Sequence, residues 1–558
     1  MKATPLSLLT LALLMTASCS SGPGSSGPTT TSEILVTSEA GARMETVPNV
    51  EFVEGVASGG TIITVWPDST KQTIHGIGSS FTESSAFVLA HLEPAKRAEV
   101  MRKIYGADGA NFSLTRTHIA SCDFSVEGKY SYAEQEGDAE LTSFTITPDT
   151  EGFDPAVYPG VKDPLYDLLP MIHEALAIKT EQGDDLKIIA SAWTAPPWMK
   201  DLEDWYVPGT AENDWQGTGG SLKPEYEATY ADYLVKYLDA YKAEDVDMWG
   251  LTPVNEPHGN GGHWESMNFS AESQNAFIQN HLGPKLKAGA HADTRLLIFD
   301  QNRDGVDHWA DVIFADPAAK PFVFGMAVHW YASTFKVYED AFERVHAQYP
   351  GFEIIHTEGC IDALGGTPPG GVADPAGYQE EPNWFMNDAW WWNSNATDWA
   401  YTVDWGFVDA DDHPMYTPVH RYARNIIVSL DHWMTGWVDW NIVLDSNGGP
   451  NHVDNFCGAP IMIDTETGEI HYTPVYHVLA QFSRTIRPGD KAVWTRLESE
   501  GLGEDALHAC ATVNGEGFVS VQVLNTTKEA VELQLQVEKR VAAVMIPANA
   551  VQTIRYEP

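Results

Sequence analysis

Eight short apolar segments, each followed by an amphipathic stretch, limit the folds open to this chain of 558 residues. The segments are 73–78, 112–119, 187–192, 248–254, 296–300, 323–330, 352–357 and 435–440. Stretches with helical spacing of apolar residues intervene, such as 94–105, 164–176, 224–243, 271–288, 306–314 and 338–348, and 414–430 precedes the last strand. A short buried strand followed by a helix is the unit of a parallel sheet, and eight units predict a closed (β/α)8 TIM barrel. From Gln481 the pattern changes to short strands separated by Gly, Asp, Asn and Pro, which predicts a β-sandwich domain. Alternating runs before residue 67 have no place in a barrel and are expected to pair into that sandwich. The expected plan is therefore sandwich strands at 33–67, the barrel at 68–480 and the sandwich at 481–558.

The chain opens with an export pattern at residues 1–19. Lys2 gives the positive start, residues 6–15 the apolar core, and Thr16-Ala17-Ser18 the small residues of a cleavage site before Cys19. That core is too short to span a bilayer. Cys19 and the following Ser20-Ser21-Gly22-Pro23-Gly24 resemble a bacterial lipoprotein signal, with Cys19 lipidated and 20–32 as a flexible tether. An outer-membrane or cell-surface lipoprotein is expected, with a periplasmic or secreted protein as the alternative. The 33 basic and 78 acidic residues give a net charge of −45, which repels nucleic acid and anionic membrane. Membrane contact is thus expected only through a lipid at Cys19. Cys122, Cys360, Cys457 and Cys510 have no metal-binding spacing, and Cys122 and Cys360 read as buried free thiols.

The fourth segment stops abruptly at Asn255-Glu256-Pro257, because proline has no N–H and a fixed φ. A carboxylate therefore stands at the end of a buried strand, where barrels keep their chemistry. The seventh segment ends likewise, on Thr357-Glu358-Gly359-Cys360. Strand ends four and seven face each other across an eight-stranded barrel, so Glu256 and Glu358 form a carboxyl pair suited to glycoside hydrolysis. By themselves such acids read equally as metal ligands or ion-pair partners. Other strand ends add Arg116 and Asp123, Trp193 in Trp193-Thr194-Ala195-Pro196-Pro197-Trp198, His329-Trp330-Tyr331, and Trp437-Val438-Asp439-Trp440-Asn441 followed by Asn455. Asp123 is an acceptor for sugar hydroxyls, Trp193 and Trp440 are walls for a sugar ring, and Tyr331 is placed to hold Glu358 ionised. The histidines show no HExxH-like spacing, so no metal and no cofactor is expected. His118 and His356 are candidates to bond the carboxylates.

Taken in order, these segments resemble glycoside hydrolase family 30, the family of glucosylceramidases and β-1,6-glucanases, over about residues 76–488. The resemblance implies a barrel with a β-sandwich built from both chain ends. It also implies Glu256 as general acid/base, Glu358 as nucleophile, and Asn255 on the sugar 2-hydroxyl. Asp123, Trp193, Trp440 and Asn455 would line the glucose subsite, with Tyr331 and His329 beside them and Arg116 orienting Asp123 or the nucleophile. A retaining β-glycosidase acting on β-1,6-glucan or its oligosaccharides is the first expectation and glucosylceramide the alternative substrate. A catalytically silent carbohydrate-binding protein and a metal-dependent hydrolase are the rival classes.

Overall fold

The computed structural model describes residues 31–213, 216–333, 335–362, 383–392 and 417–557. The expected signal at 1–19, with Cys19, and most of the expected tether lie outside them. Thr31 and Ser32, expected in the tether, begin the strand Thr31–Ser38, whose Thr31 lies opposite Tyr556.

Eight parallel strands form the barrel: Gly76–Ser80, Leu114–Ile119, Lys187–Ala192, Gly250–Thr252, Arg295–Asn302, Val323–His329, Glu353–Glu358 and Met434–Asn441. They are hydrogen-bonded in chain order from the second to the seventh, with the eighth between the seventh and the first. Closure between the first and second rests on Ser113 N–H donating to Ile77 O, Phe81 N–H to Arg116 O, and the Thr115 hydroxyl to Ser79 O at 2.6 Å. Gly78 permits that approach, since a Cβ there would sit 1.9 Å from the Leu114 carbonyl oxygen. The fourth strand is shorter than expected, since the chain leaves the ladder after Thr252.

The sandwich is one sheet of ten strands from both chain ends that folds over on itself. Ile34, Ile63 and Val65 from the N-terminal part share a core with Val493, Val521, Leu535, Val544 and Ile554. Two expected boundaries are corrected. Strand Thr61–Thr73 continues past 67, because it pairs with Lys491–Glu498 as far as Thr73 opposite Lys491. The helix Pro474–Thr485 continues past 480 and docks the two parts: Gln481 donates to Thr553 Oγ1 at 3.0 Å and accepts from the Thr37 hydroxyl at 2.8 Å. No helix among the described residues is long and apolar enough to cross a membrane.

Candidate active site

Side chains on a strand alternate, so every second residue of each barrel strand faces the interior. Leu114, Ile189, Leu297, Ala327, Ile355 and Val438 make an apolar inner cluster. Two residues further along four of these strands stand Arg116, Ser191, His329 and Thr357, all buried. On the fifth strand the count breaks. Phe299 and Asp300 take φ of 74° and 61°, and the pairing slips, with Ala327 opposite Phe299 but Val328 opposite Gln301. This bulge turns Asp300 into the polar layer.

Asp300 and Arg116 are the hub of that layer, and both are fully buried. Asp300 Oδ2 accepts from Arg116 Nη2 at 2.7 Å, Ser191 Oγ at 2.9 Å and Thr252 Oγ1 at 2.8 Å, while Oδ1 accepts from Thr357 Oγ1 at 2.7 Å. Arg116 also donates from Nη1 to Glu358 Oε2 at 2.5 Å, from Nη2 to Asn255 Oδ1 at 2.6 Å and from Nε to Ser191 Oγ at 3.0 Å. Burial opposes the charge on Asp300, but the guanidinium, His329 and Thr357 outweigh it and hold the carboxyl far below its ordinary range. Removing one partner of a buried ion pair leaves the other charge uncompensated. Asp300→Asn is therefore expected to lower unfolding stability by about 3 kcal/mol. Urea titration checks this: the midpoint should fall while the slope stays unchanged.

His329 joins the hub to the first carboxyl. Its Nδ1 lies 3.3 Å from Glu256 Oε1 and its Nε2 lies 3.1 Å from Asp300 Oδ1. Burial disfavours the imidazolium, but Glu358, Asp300 and Glu256 prevail and raise its pKa to about 9. A raised pKa adds stability that is complete below the ordinary histidine value and lost as pH climbs through about 9. Thermal melting of the protein should therefore fall between about pH 6.5 and 9, and His329→Gln should flatten that part of the profile.

Glu256 and Glu358 meet over this layer. One oxygen of each and a ring nitrogen of His329 all lie within 4.8 Å of one another. Glu256 is half-buried, takes φ of 49°, and is held by its N–H on Asp300 O at 2.9 Å. Glu358 is 6% exposed, and its Oε1 accepts from the Tyr331 hydroxyl at 3.1 Å. Burial raises the Glu358 pKa, and the His329 and Arg116 charges counter that rise. The same three groups have the spacing of a metal triad. Their donors do not suit one: both His329 nitrogens face carboxylates, and a fixed guanidinium already occupies Glu358.

The structure brings Trp193 to Trp440 and Asp123 to Asn455. Trp193 and Trp440 stack with ring centroids 5.2 Å apart, and Arg116 lies 4.9 and 5.5 Å from their rings. Trp193 Nε1 is buried with no partner among the described residues, a donor available to a ligand. Asp123 is buried and accepts from Asn455 Nδ2 at 3.0 Å. Burial, Glu358 and Glu256 raise its pKa to about 8. Arg116 bonds Asn255 and Glu358 and makes no hydrogen bond to Asp123 among the described residues.

Two expectations fail. His118 accepts from Glu83 N–H at 3.1 Å and faces Ala120 O, while His356 stacks on Trp437 at 3.6 Å, so neither bonds a catalytic-type carboxylate. His356 sits one residue out of phase with the inward positions Ile355 and Thr357, whereas His118 keeps the phase of Leu114 and Arg116 at the strand's end. Sequence reading missed Asp300, whose entry depends on the bulge, and the buried Glu265. Glu265 accepts from Lys129 N–H at 2.8 Å and bonds His452 Nε2 at 3.0 Å, tying the insertion after the second strand to the loop that carries Asn455. Only nearness in space reveals that pair. Cys122, Cys360, Cys457 and Cys510 are all buried, and Cys122 and Cys510 are free thiols.

A search among protein families matches the glycosyl hydrolase family 30 TIM-barrel domain over residues 74–365 and 395–486, and that family's β-sandwich domain over 495–554. The chain is 28% identical to the lysosomal acid glucosylceramidase of Mus musculus over 89% of this chain and 83% of that protein. It is 26% identical to an endo-1,6-β-D-glucanase of Neurospora crassa over 78% of this chain and 76% of that protein. The solved endo-β1,6-glucanase BT3312 superposes with a TM-score of 0.70 at 23% identity, covering 95% of this chain and 99% of that one, a likeness of fold.

Proposed function

The chain belongs to glycosyl hydrolase family 30 and is an O-glycosyl hydrolase, and from that premise we infer a retaining β-glucosidase chemistry carried by Glu256 and Glu358. The observation that carries it is the carboxyl separation, with oxygens within 4.8 Å. A gap of about 5 Å leaves no room for a water between the carboxyls, so the second attacks the anomeric carbon itself. Glu358 is the nucleophile, since the Arg116 guanidinium and the Tyr331 hydroxyl stabilise its carboxylate. Glu256 is the acid and then the base. Arg116 and His329 balance Asp300 and Glu358, which makes Glu256 the carboxyl that gives and takes a proton. Asn255, its Oδ1 fixed by Arg116, presents its amide hydrogens to the sugar 2-hydroxyl. Asp123, Asn455, Trp193 and Trp440 form the glucose pocket.

For the substrate we propose β-1,6-linked glucan or its oligosaccharides. Support comes from the likeness to the endo-1,6-β-D-glucanase of Neurospora crassa. Likeness to the mouse glucosylceramidase favours glucosylceramide as the second reading. Incubation with β-1,6-glucan and with glucosylceramide in detergent, side by side, decides between them. Glucose or gluco-oligosaccharides from the glucan alone support the first reading; ceramide release alone overturns it. The proposal extends to export and a lipid on Cys19, on the strength of the 1–19 pattern. Mass analysis of the mature N-terminus tests it.

A further inference from the structure

The outer face of the sandwich carries a pair of tryptophans that the barrel's chemistry does not use. Trp66 and Trp494 lie directly opposite each other on the paired strands Thr61–Thr73 and Lys491–Glu498. They are 39% and 51% exposed, and the other exposed large apolar side chains among the described residues are valines, a leucine and a methionine. Most of the described tryptophans are buried, and folding gains little from leaving two in water side by side. Residues directly opposite on paired strands stand about 5 Å apart and project from the same face, so the two indoles share one patch of the sheet.

The charges around them say what that surface accepts. Lys71 Nζ lies 4.8 Å from the Trp494 ring, and Arg496 lies 5.7 Å from the Trp66 ring. Neither cation is unpaired: Lys71 is bound to Asp431 at 2.7 Å and Arg496 to Glu498 at 3.0 Å. The patch is therefore electrically neutral on a protein of net charge −45. An anionic bilayer or a nucleic acid needs unpaired basic groups, at about 1 kcal/mol for each near a membrane surface. A pyranose ring offers what an indole can use, an apolar C–H face with hydroxyls around its edge. Two indoles side by side suit successive rings of a chain.

The patch is remote from the catalytic mouth. Strand Thr61–Thr73 leads into the start of the first barrel strand, and Asp431 precedes the start of the eighth, so the tryptophans lie toward the N-terminal end of the barrel. Glu256 and Glu358 are at the C-terminal end. We propose that Trp66 and Trp494 form a second carbohydrate-binding site, a platform that holds a neutral polysaccharide chain while the barrel acts on another part of it. Its identification with β-glucan rests on the substrate proposed above.

The test is the double variant Trp66→Ala/Trp494→Ala, made in the full chain and in a Glu358→Gln background. Electrophoresis of the Glu358→Gln protein through gels containing soluble β-1,6-glucan should show retardation, and the added double substitution should weaken binding about tenfold. In the active enzyme the double variant should keep kcat and KM on an aryl β-glucoside, and raise KM on the polymer with kcat unchanged. Trp66→Phe and Trp494→Phe should recover part of the retardation. Unchanged retardation in the double variant would overturn the platform, as would parallel loss of aryl-glucoside activity, which would mark the pair as structural. Lost binding to phosphatidylserine vesicles with glucan retention intact would make the patch a membrane contact instead. Glucan retention without hydrolysis by the active enzyme would overturn the proposed substrate and leave the platform standing.

Discussion

Glu358→Gln is expected to reduce turnover on the order of 10^5-fold, as loss of a nucleophile does when nothing replaces it. Glutamine keeps the size of the side chain and an oxygen for the Tyr331 hydroxyl, which now lies 3.1 Å from Oε1. It removes the negative charge that Arg116 Nη1 meets at 2.5 Å. Asp300 remains as a second full charge on the same guanidinium, 2.7 Å from Nη2, so the fold should survive. Steady-state rates on an aryl β-glucoside, with thermal melting as the control, check this. A 2-fluoro glucoside that traps the intermediate should label the peptide containing Glu358 in the parent and leave the variant unlabelled. A variant that keeps the parent's rate would remove Glu358 from the nucleophile's role.

Glu256→Ala should behave differently, and the difference identifies the mechanism. A general acid contributes about 10^2- to 10^4-fold, and most where the leaving group is poor. Polymer hydrolysis should fall by about 10^3-fold, while an activated aryl glucoside should still form the intermediate and then stall. Azide fits the space the carboxyl leaves and needs no base. Added azide should restore turnover and yield the β-glucosyl azide, the product of two inversions at one carbon. An α-azide would mean a single displacement and would contradict the two-step reading of carboxyl oxygens that lie within 4.8 Å of each other.

The two substitutions read different parts of one hydrogen-bonded unit. His329 touches Glu256, Asp300 touches His329 and Arg116, and Arg116 touches Glu358 and Asn255. Variants within it should not be additive, because each removes a partner on which the others' charges depend.

Much of this was legible in the chain. The apolar run of each segment, ended by proline after Glu256 and by glycine after Glu358, put both acids at the segment ends, although the fourth strand itself stops at Thr252. The helix Pro94–Tyr105 and the strand Lys187–Ala192 fall where periodicity put them, since apolar spacing reports directly on the buried face. Other features needed the tertiary structure. Asp300 enters the site through two left-handed residues in a strand, a local exception that residue type does not announce. His118 and His356 precede outward and inward positions alike in sequence, and only the register shows that their rings serve a helix N-terminus and the Trp437 face. Glu265 and His452 meet across 187 positions, and Trp66 and Trp494 across the two chain ends. Local spacing fixes what a residue's own strand or helix does with it, whereas a partner brought from another element is decided by how the elements pack.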